Sequence, residues 1–237
     1  MQQQPFEIFD AIETWVFDLD NTLYPASSKL FDQVSHRMTG YISEYFNIAP
    51  DVALERQRSL FMRYGTTLRG LMVEHGVDPE PFLGYVHKVD FGLVKPNPEL
   101  AATLGRLPGR KLIFTNSPRL HARRVMERLG VTEHFEDIFD ISDADYIPKP
   151  DRRSYAMLLN HHRVKASNAC LIDDIAHNLE PAKAMGMTTV WLKGEFEWAR
   201  PNPDPAVLRH IDFTAENLGV WLDGVLEHLE ARPEQLK

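Results

Sequence analysis

Cysteine is nearly missing from this 237-residue chain, in which Cys170 stands alone. One thiol cannot form an intrachain disulfide, which fits a reducing compartment and makes the cytoplasm the expected location. Cys170 sits in the apolar run Ala169 to Ile172, a core setting rather than that of a nucleophile. Long hydrophobic runs are lacking too. Nothing approaches the roughly 18 apolar residues of a membrane helix, and Met1 to Asp10 has no basic segment leading into an apolar one. Neither a membrane span nor a signal peptide is expected. An excess of basic residues is also lacking, since 26 Lys and Arg face 34 Asp and Glu for a net charge of −8. Phosphate backbones call for a basic surface, so a nucleic-acid polymer is not an expected partner. A small anion stays open, because the field around a bound cation outweighs the global sum.

What the chain does contain is enough apolar material for a core, 43% hydrophobic residues against 25% charged. Its length suits one large domain or a core with a smaller attached unit. After Pro25 the pattern is helical. Ser27 or Ser28 can cap a helix that places Leu30, Phe31, Val34, Met38, Tyr41, Ile42 and Tyr45 on one stripe. Further helices are expected over 51–64, ended by Gly65, over 68–75, ended by Gly76, and over 79–87. No strand pattern interrupts 27–88, so 26–94 reads as an all-helical subdomain inserted into a core made of 1–25 and 95–237.

From Pro98 the chain alternates. Helices are expected near 98–107, from Ser117-Pro118 to Gly130, over 151–162, and ending near Gly186. Between them come strands at 111–114, 137–141, 169–172 and 188–192. Strands separated by helices of this length mean an α/β fold with a Rossmann-like parallel sheet. A last helix is expected over 214–229, with Leu218, Trp221, Leu222, Val225, Leu226 and Leu229 on one face. The Pro-rich segment 200–205 is expected to be an exposed loop.

The chemistry begins where the run Trp15-Val16-Phe17 gives way to Asp18-Leu19-Asp20-Asn21-Thr22-Leu23-Tyr24-Pro25. A short apolar run ended by a turn signal reads as a buried strand. In extended backbone Asp18 and Asp20 start on one face. Carboxylates at the mouth of a buried strand call for a cation. Polar groups recur at or after later strand ends: Thr115-Asn116, then Lys149 between two prolines, then Asp173-Asp174 with Asn178 beyond. Singly, each has an ordinary explanation as a turn former, a rigid surface loop or a helix cap. Ligands of parallel α/β sheets bind beyond the carboxyl ends of the strands, and four such clusters there exceed coincidence.

In order and spacing, Asp18–Thr22, Thr115, Lys149 and Asp173–Asn178 resemble the four motifs of the haloacid dehalogenase superfamily, mostly Mg²⁺-dependent phosphohydrolases. The resemblance covers about 12–195 and implies a helical cap over the site. It implies Asp18 as nucleophile through an aspartyl-phosphate, and Asp20 as general acid and then base. Thr115 and Asn116 would bind phosphoryl oxygens and Lys149 would supply a fixed charge. Mg²⁺ would bind Asp18, the carbonyl of Asp20, and Asp174 or Asp173, with Asp174 favoured as the direct ligand and Asp173 then binding through water or holding Lys149. Dehalogenases of this fold lack the second aspartate of the first motif, so a phosphatase is implied.

The Leu23-Tyr24-Pro25 ending and the segment Tyr64 to Leu71 resemble the branch containing pyrimidine 5′-nucleotidases. Hydrolysis of a UMP- or CMP-like monophosphate is therefore the leading expectation. A phosphatase for phosphoglycolate, a sugar phosphate or pyridoxal phosphate is the alternative, and a non-catalytic binding scaffold a more distant one. Thr66, Thr67 and Arg69 are candidates to contact base or sugar, though a capping Thr and a solvated Arg would look the same. Tyr24 and Phe91 are candidates to stack on a ring and equally to be core aromatics. His121 and His177 read as helix-surface residues, and His161-His162 has no metal-ligating neighbour in the sequence.

Overall fold

The run Trp15-Val16-Phe17 does form a buried strand, and the rest of the sheet is built outward from it. The computed structural model describes residues 6–194 and 207–231, so the segment 200–205 lies outside the described residues. Strand β1, Thr14–Phe17, pairs in parallel with β2, Arg110–Phe114, and with β4, Ala169–Asp173. β3, Asp137–Phe139, lies beyond β2, while β5, Thr188–Leu192, and β6, Phe213–Ala215, lie beyond β4. The order is β3-β2-β1-β4-β5-β6, with every pairing parallel. Both faces of such a sheet are covered, which is why its central strand is apolar throughout.

Alternation along β1 divides it between two cores. Trp15 and Phe17 pack with residues of α5, Pro98–Arg106, α6, Arg119–Leu129, and α9, Leu218–Glu230. Val16 packs on the other side with Phe114, Tyr155, Leu158 and Leu179, under α7, Arg152–His161, and α8, Ala176–Ala184. Between β1 and α5 run four α-helices, α1, Leu30–Phe46, α2, Pro50–Tyr64, α3, Thr67–His75, and α4, Pro79–Val86. They enclose a third apolar cluster with Val34, Ile42, Leu60, Leu71 and Phe82, to which Ile141 is added from the loop after β3. No helix among the described residues is long and apolar enough to cross a membrane.

Two boundaries and two helix caps differ from the sequence expectation. α9 starts at Leu218, where the Asn217 side chain accepts from the Val220 N–H, and the residues before it form β6. The helical stripe is real only from Leu218 onward, and the backbone of Phe213–Ala215 is satisfied by β5. β3 stops at Phe139 because the Asp140 carboxylate turns back onto the amides of Ser142 and Asp143. That carboxylate also accepts from the Arg119 N–H at 2.5 Å, so α6 is capped from the end of β3 and not by Ser117. At α1 the Ser28 hydroxyl accepts from the Leu30 N–H, but Lys29 in a left-handed conformation holds the cap position.

Gly109 leads into β2 with φ of +87°, and a Cβ there would stand 2.7 Å from the Glu13 carbonyl oxygen. Both the dihedral and the space exclude a side chain. Gly109→Ala should cost about 1–3 kcal/mol. Urea unfolding should show a lower midpoint at unchanged slope, and an unaltered midpoint would contradict this account of the turn.

Candidate active site

Register brings the polar strand ends together. Phe17 lies level with Ile113 and with Ile172, so Asp18, Phe114 and Asp173 leave the sheet side by side. Lys149 reaches them from the loop after β3. Its Nζ donates to Asp18 Oδ1 at 2.7 Å, to Asp173 Oδ2 at 2.7 Å and to the Phe114 carbonyl oxygen at 2.8 Å. All three ammonium protons are thereby used. The Lys149 side chain is 1% exposed, Asp18 10% and Asp173 0%. Buried charges persist only when paired, and here one cation faces two anions. Burial raises the Asp18 carboxyl to about 7, with Lys149 pulling against the rise and Asp173 adding to it. Burial works to lower Lys149, but Asp173 and Asp18 outweigh it and hold the ammonium above its ordinary value.

The local charge is still unbalanced. Carboxylate oxygens of Asp18, Asp173 and Asp174 lie within 4.8 Å of one another, all three residues buried. A group of hard oxygen donors with surplus negative charge fits a divalent cation of the Mg²⁺ type. Asp173 is the most committed of the three, since it also accepts from the Ile175 N–H at 2.8 Å and the Asn178 side-chain amide at 2.9 Å. Asn178 therefore braces Asp173, not Asp174.

Two further groups hold this arrangement. The Thr22 hydroxyl donates to Asp18 Oδ2 at 3.0 Å. Asn116 accepts from the Lys149 N–H at 2.9 Å and donates to its carbonyl at 3.3 Å, fixing the main chain that carries the lysine. Buried Thr115 accepts from the Ser117 N–H at 3.0 Å, which leaves its own hydroxyl proton to donate.

Asp20 stands apart from the lysine. Its carboxylate accepts from Tyr24 at 2.5 Å, from Ser117 at 2.6 Å, and faces His121 Nε2 at 2.9 Å. Burial would raise its carboxyl, but His121, Ser117 and Tyr24 outweigh burial and hold it well below the usual carboxylate range.

A cavity of about 130 Å³ opens between these strand ends and the helices α1 to α4. Asp18, Asp20, Thr115, Asn116, Lys149 and Asp174 line one side, while Phe31, Met38, Phe61 and Phe82 line the other. Thr66 and Thr67 also line it. Thr66 caps α3 by accepting from the Arg69 N–H, and Thr67 donates to the Gln57 carbonyl at 3.4 Å. Arg69 does not belong to the lining.

Residues 12–186 match the family model described as haloacid dehalogenase-like hydrolase. The chain belongs to that family. Among curated relatives, it is 29% identical over 195 residues to phosphate metabolism protein 8 of Saccharomyces cerevisiae. That match covers 75% of this chain and 60% of the yeast protein, so the chain spans well under the whole of that relative. It is 26% identical to the glyceraldehyde 3-phosphate phosphatase of Methanopyrus kandleri, over 91% of this chain and 98% of that one. The crystal structure of a haloacid dehalogenase-type phosphatase from Thermococcus onnurineus shares the fold, with a TM-score of 0.58 at 19% identity. That superposition covers 92% of this chain and 98% of the other.

Within this hydrolase one reading left open is decided, Tyr24 as a core aromatic, and one expectation is corrected, that for His121. Tyr24 is 2% exposed and bonded to Asp20, so its ring has no free face for a substrate. His121 is no surface residue. It is 2% exposed and its ring meets those of His87 at 4.8 Å and Phe91 at 5.4 Å. The signal was present, because His121 continues the Val125, Leu129 row on the buried face of α6. His177 is exposed, as expected, and Cys170 is buried.

Lys149→Met would leave Asp18 and Asp173 buried without their counter-charge. A loss of about 3–5 kcal/mol is expected in chemical denaturation, and unchanged stability would mean that the three groups are not coupled. Asp20 gives a pH-dependent prediction. Its native value lies below its unfolded one, so its contribution is complete above the ordinary carboxylate range and fades as pH falls through the native value. The stability deficit of His121→Asn should therefore be largest near neutral pH and shrink toward about pH 2. A deficit independent of pH would assign His121 to packing alone.

Proposed function

We propose that this hydrolase is a Mg²⁺-dependent phosphomonoesterase acting through an aspartyl-phosphate, with a pyrimidine nucleoside 5′-monophosphate as substrate. The observation that carries the reading is Lys149 clamped between Asp18 and Asp173, with Asp174 beside them and Asp20 on the same cavity wall. Asp18, Asp174 and the main-chain carbonyl of Asp20 would hold Mg²⁺, Asp173 supporting them through Lys149 and Asn178. When bound, the ion supplies neutralisation of the phosphoryl oxygens.

The chain's own groups account for the remaining chemistry. An Asp18 oxygen bonds to phosphorus as the bond from phosphorus to the ester oxygen breaks. Lys149 keeps that carboxylate oriented and offsets its repulsion toward an anionic ester. The Thr115 hydroxyl donates to a phosphoryl oxygen, and Asn116 acts by fixing Lys149. Asp20 gives the leaving oxygen its proton, then accepts one from the water that cleaves the acyl phosphate and restores Asp18. Asp20 is ionised in the arrangement seen, and an arriving phosphate dianion raises its affinity for the proton it must carry. A carboxylate at this position also separates a phosphatase from the dehalogenases, which the first motif resembles only in Asp18.

Substrate preference follows from the other wall. Half-buried Phe31 and Phe61 offer ring surface suited to a planar base. The one ammonium in the lining, Lys149, is committed to Asp18 and Asp173. A leaving group with a carboxylate of its own, such as glycolate, has no counter-charge there. Thr66 and Thr67 would approach the sugar or base, and Arg69 would act only from outside the lining. A second reading, a phosphate ester of a compact uncharged alcohol, draws on the cavity volume and on the activity that names the Methanopyrus relative.

Phosphate release from UMP, CMP, AMP, glyceraldehyde 3-phosphate and phosphoglycolate, with Mg²⁺ and with EDTA, tests both. Release confined to UMP and CMP, abolished by EDTA and lowered at least about 10³-fold by Asp18→Asn, is the expected outcome. Preference for glyceraldehyde 3-phosphate would keep the mechanism and replace the substrate. Full activity in Asp18→Asn would remove the mechanism.

A further inference from the structure

We propose that Asp137, His161 and His162 form a binding site for a transition-metal ion of the Zn²⁺ class, at the end of the sheet opposite the active site. Asp137 opens β3, whereas His161 ends α7 and His162 caps it. In sequence the two histidines have no carboxylate near them, but the fold brings Asp137 alongside. One ligand atom from each of the three residues lies within 4.8 Å of the others.

Two observations mark this as more than a chance cluster. First, His162 Nε2 is buried without a hydrogen-bond partner, and its side chain is 6% exposed. It lies 4.0 Å from Asp137 Oδ2, too far for a hydrogen bond. A buried ring nitrogen left unpaired costs its desolvation, and an ion between the two atoms would satisfy both. Second, the ligands are held in place by groups outside the site. Asp137 Oδ1 accepts from Arg119 at 2.7 Å and from the Ile138 N–H at 2.8 Å, which leaves Oδ2 as the atom facing His162. The imidazoles of His161 and His162 both pack against Phe139, with ring centroids at 5.8 Å and 6.0 Å.

Nearby arginines do not repel a cation from this place. Arg110 is paired with Glu136, and Arg119 with Asp143 as well as Asp137, so each arginine has a carboxylate partner outside the site. Two imidazoles with one carboxylate select Zn²⁺ and its neighbours over Mg²⁺, the reverse of the all-oxygen cluster around Asp18. Three protein ligands leave one position for water. An ion here would tie the end of α7 to the start of β3 and take no part in the chemistry beyond the other end of the sheet.

The test is calorimetric titration of the EDTA-stripped full chain with Zn²⁺ alone as probe, in saturating Mg²⁺ to occupy the oxygen-only cluster. One equivalent of Zn²⁺ should bind and raise the melting temperature. The exposed His161 makes His161→Gln a variant that should fold, and Asp137→Asn changes charge with little change in shape. Each should weaken binding at least about tenfold, while Asp18→Asn should leave it intact. No Zn²⁺ uptake, uptake indifferent to both variants, or uptake lost in Asp18→Asn would each overturn the site.

Discussion

The ammonium of Lys149, buried between two carboxylates and a carbonyl, is the interaction on which the rest of this structure depends. Three charges out of water in one place are costly, and an apolar trio of the same volume would usually be at least as stable. The arrangement persists only because its geometry is determined from every side. β1 and β4 deliver Asp18 and Asp173 in adjacent register, β2 delivers the Phe114 carbonyl, and Asn116 holds the lysine main chain through two hydrogen bonds. The sheet order with β1 at the centre of the charged group is what allows one side chain to reach all three. Because the cation is outnumbered, the same geometry that fixes the lysine also leaves negative charge for a second, divalent one.

Helices α1 to α4 solve a different problem. They carry an apolar cluster to which Ile141 is added from the loop after β3, and Phe31, Met38, Phe61 and Phe82 face the strand ends across the cavity. A charged site roofed by aromatic and aliphatic groups has a low local dielectric, which strengthens every electrostatic interaction beneath it. Burial shows this directly: it is the leading influence on Asp18, Asp20 and Lys149 alike, and specific partners then decide the direction in which each is held.

What could be read from the sequence was whatever is set by local pattern. The apolar run before Asp18, the glycine stops at Gly65 and Gly76, and the polar residues at strand ends follow from periodicity and turn chemistry, and the structure places them accordingly. What escaped was set by partners distant in the chain. β6 is a strand because β5 offers it a ladder, and three residues before a strong helical stripe give no warning of that. α6 is capped by Asp140, some 20 residues downstream, so the Ser117-Pro118 start signal named the wrong cap. Asn178 was read with Asp174 by spacing, but its amide turns to Asp173. His121 was the most informative omission, because its place in the buried row of α6 was visible while its partner was not.

That omission matters for how the proposed acid is controlled. Asp20 is held by three donors from three different parts of the chain: Tyr24 just after β1, Ser117 after β2, and His121 in α6. A carboxylate so thoroughly satisfied is a poor acid until the balance around it changes. His121 is in turn packed against His87 at the end of α4 and Phe91 just beyond it, both in the helical segment. Burial, with His121 adding to it, lowers His87 to about 3, so that neighbour stays neutral and adds no charge of its own. The environment of Asp20 is therefore built jointly by the sheet and the helices, whereas the hydrogen bonds to the side chains of Asp18 and Lys149 come from the sheet and its loops. Under the proposed function, a substrate phosphate beside Asp20 would meet a carboxylate whose partner His121 is itself packed by rings of the helical segment.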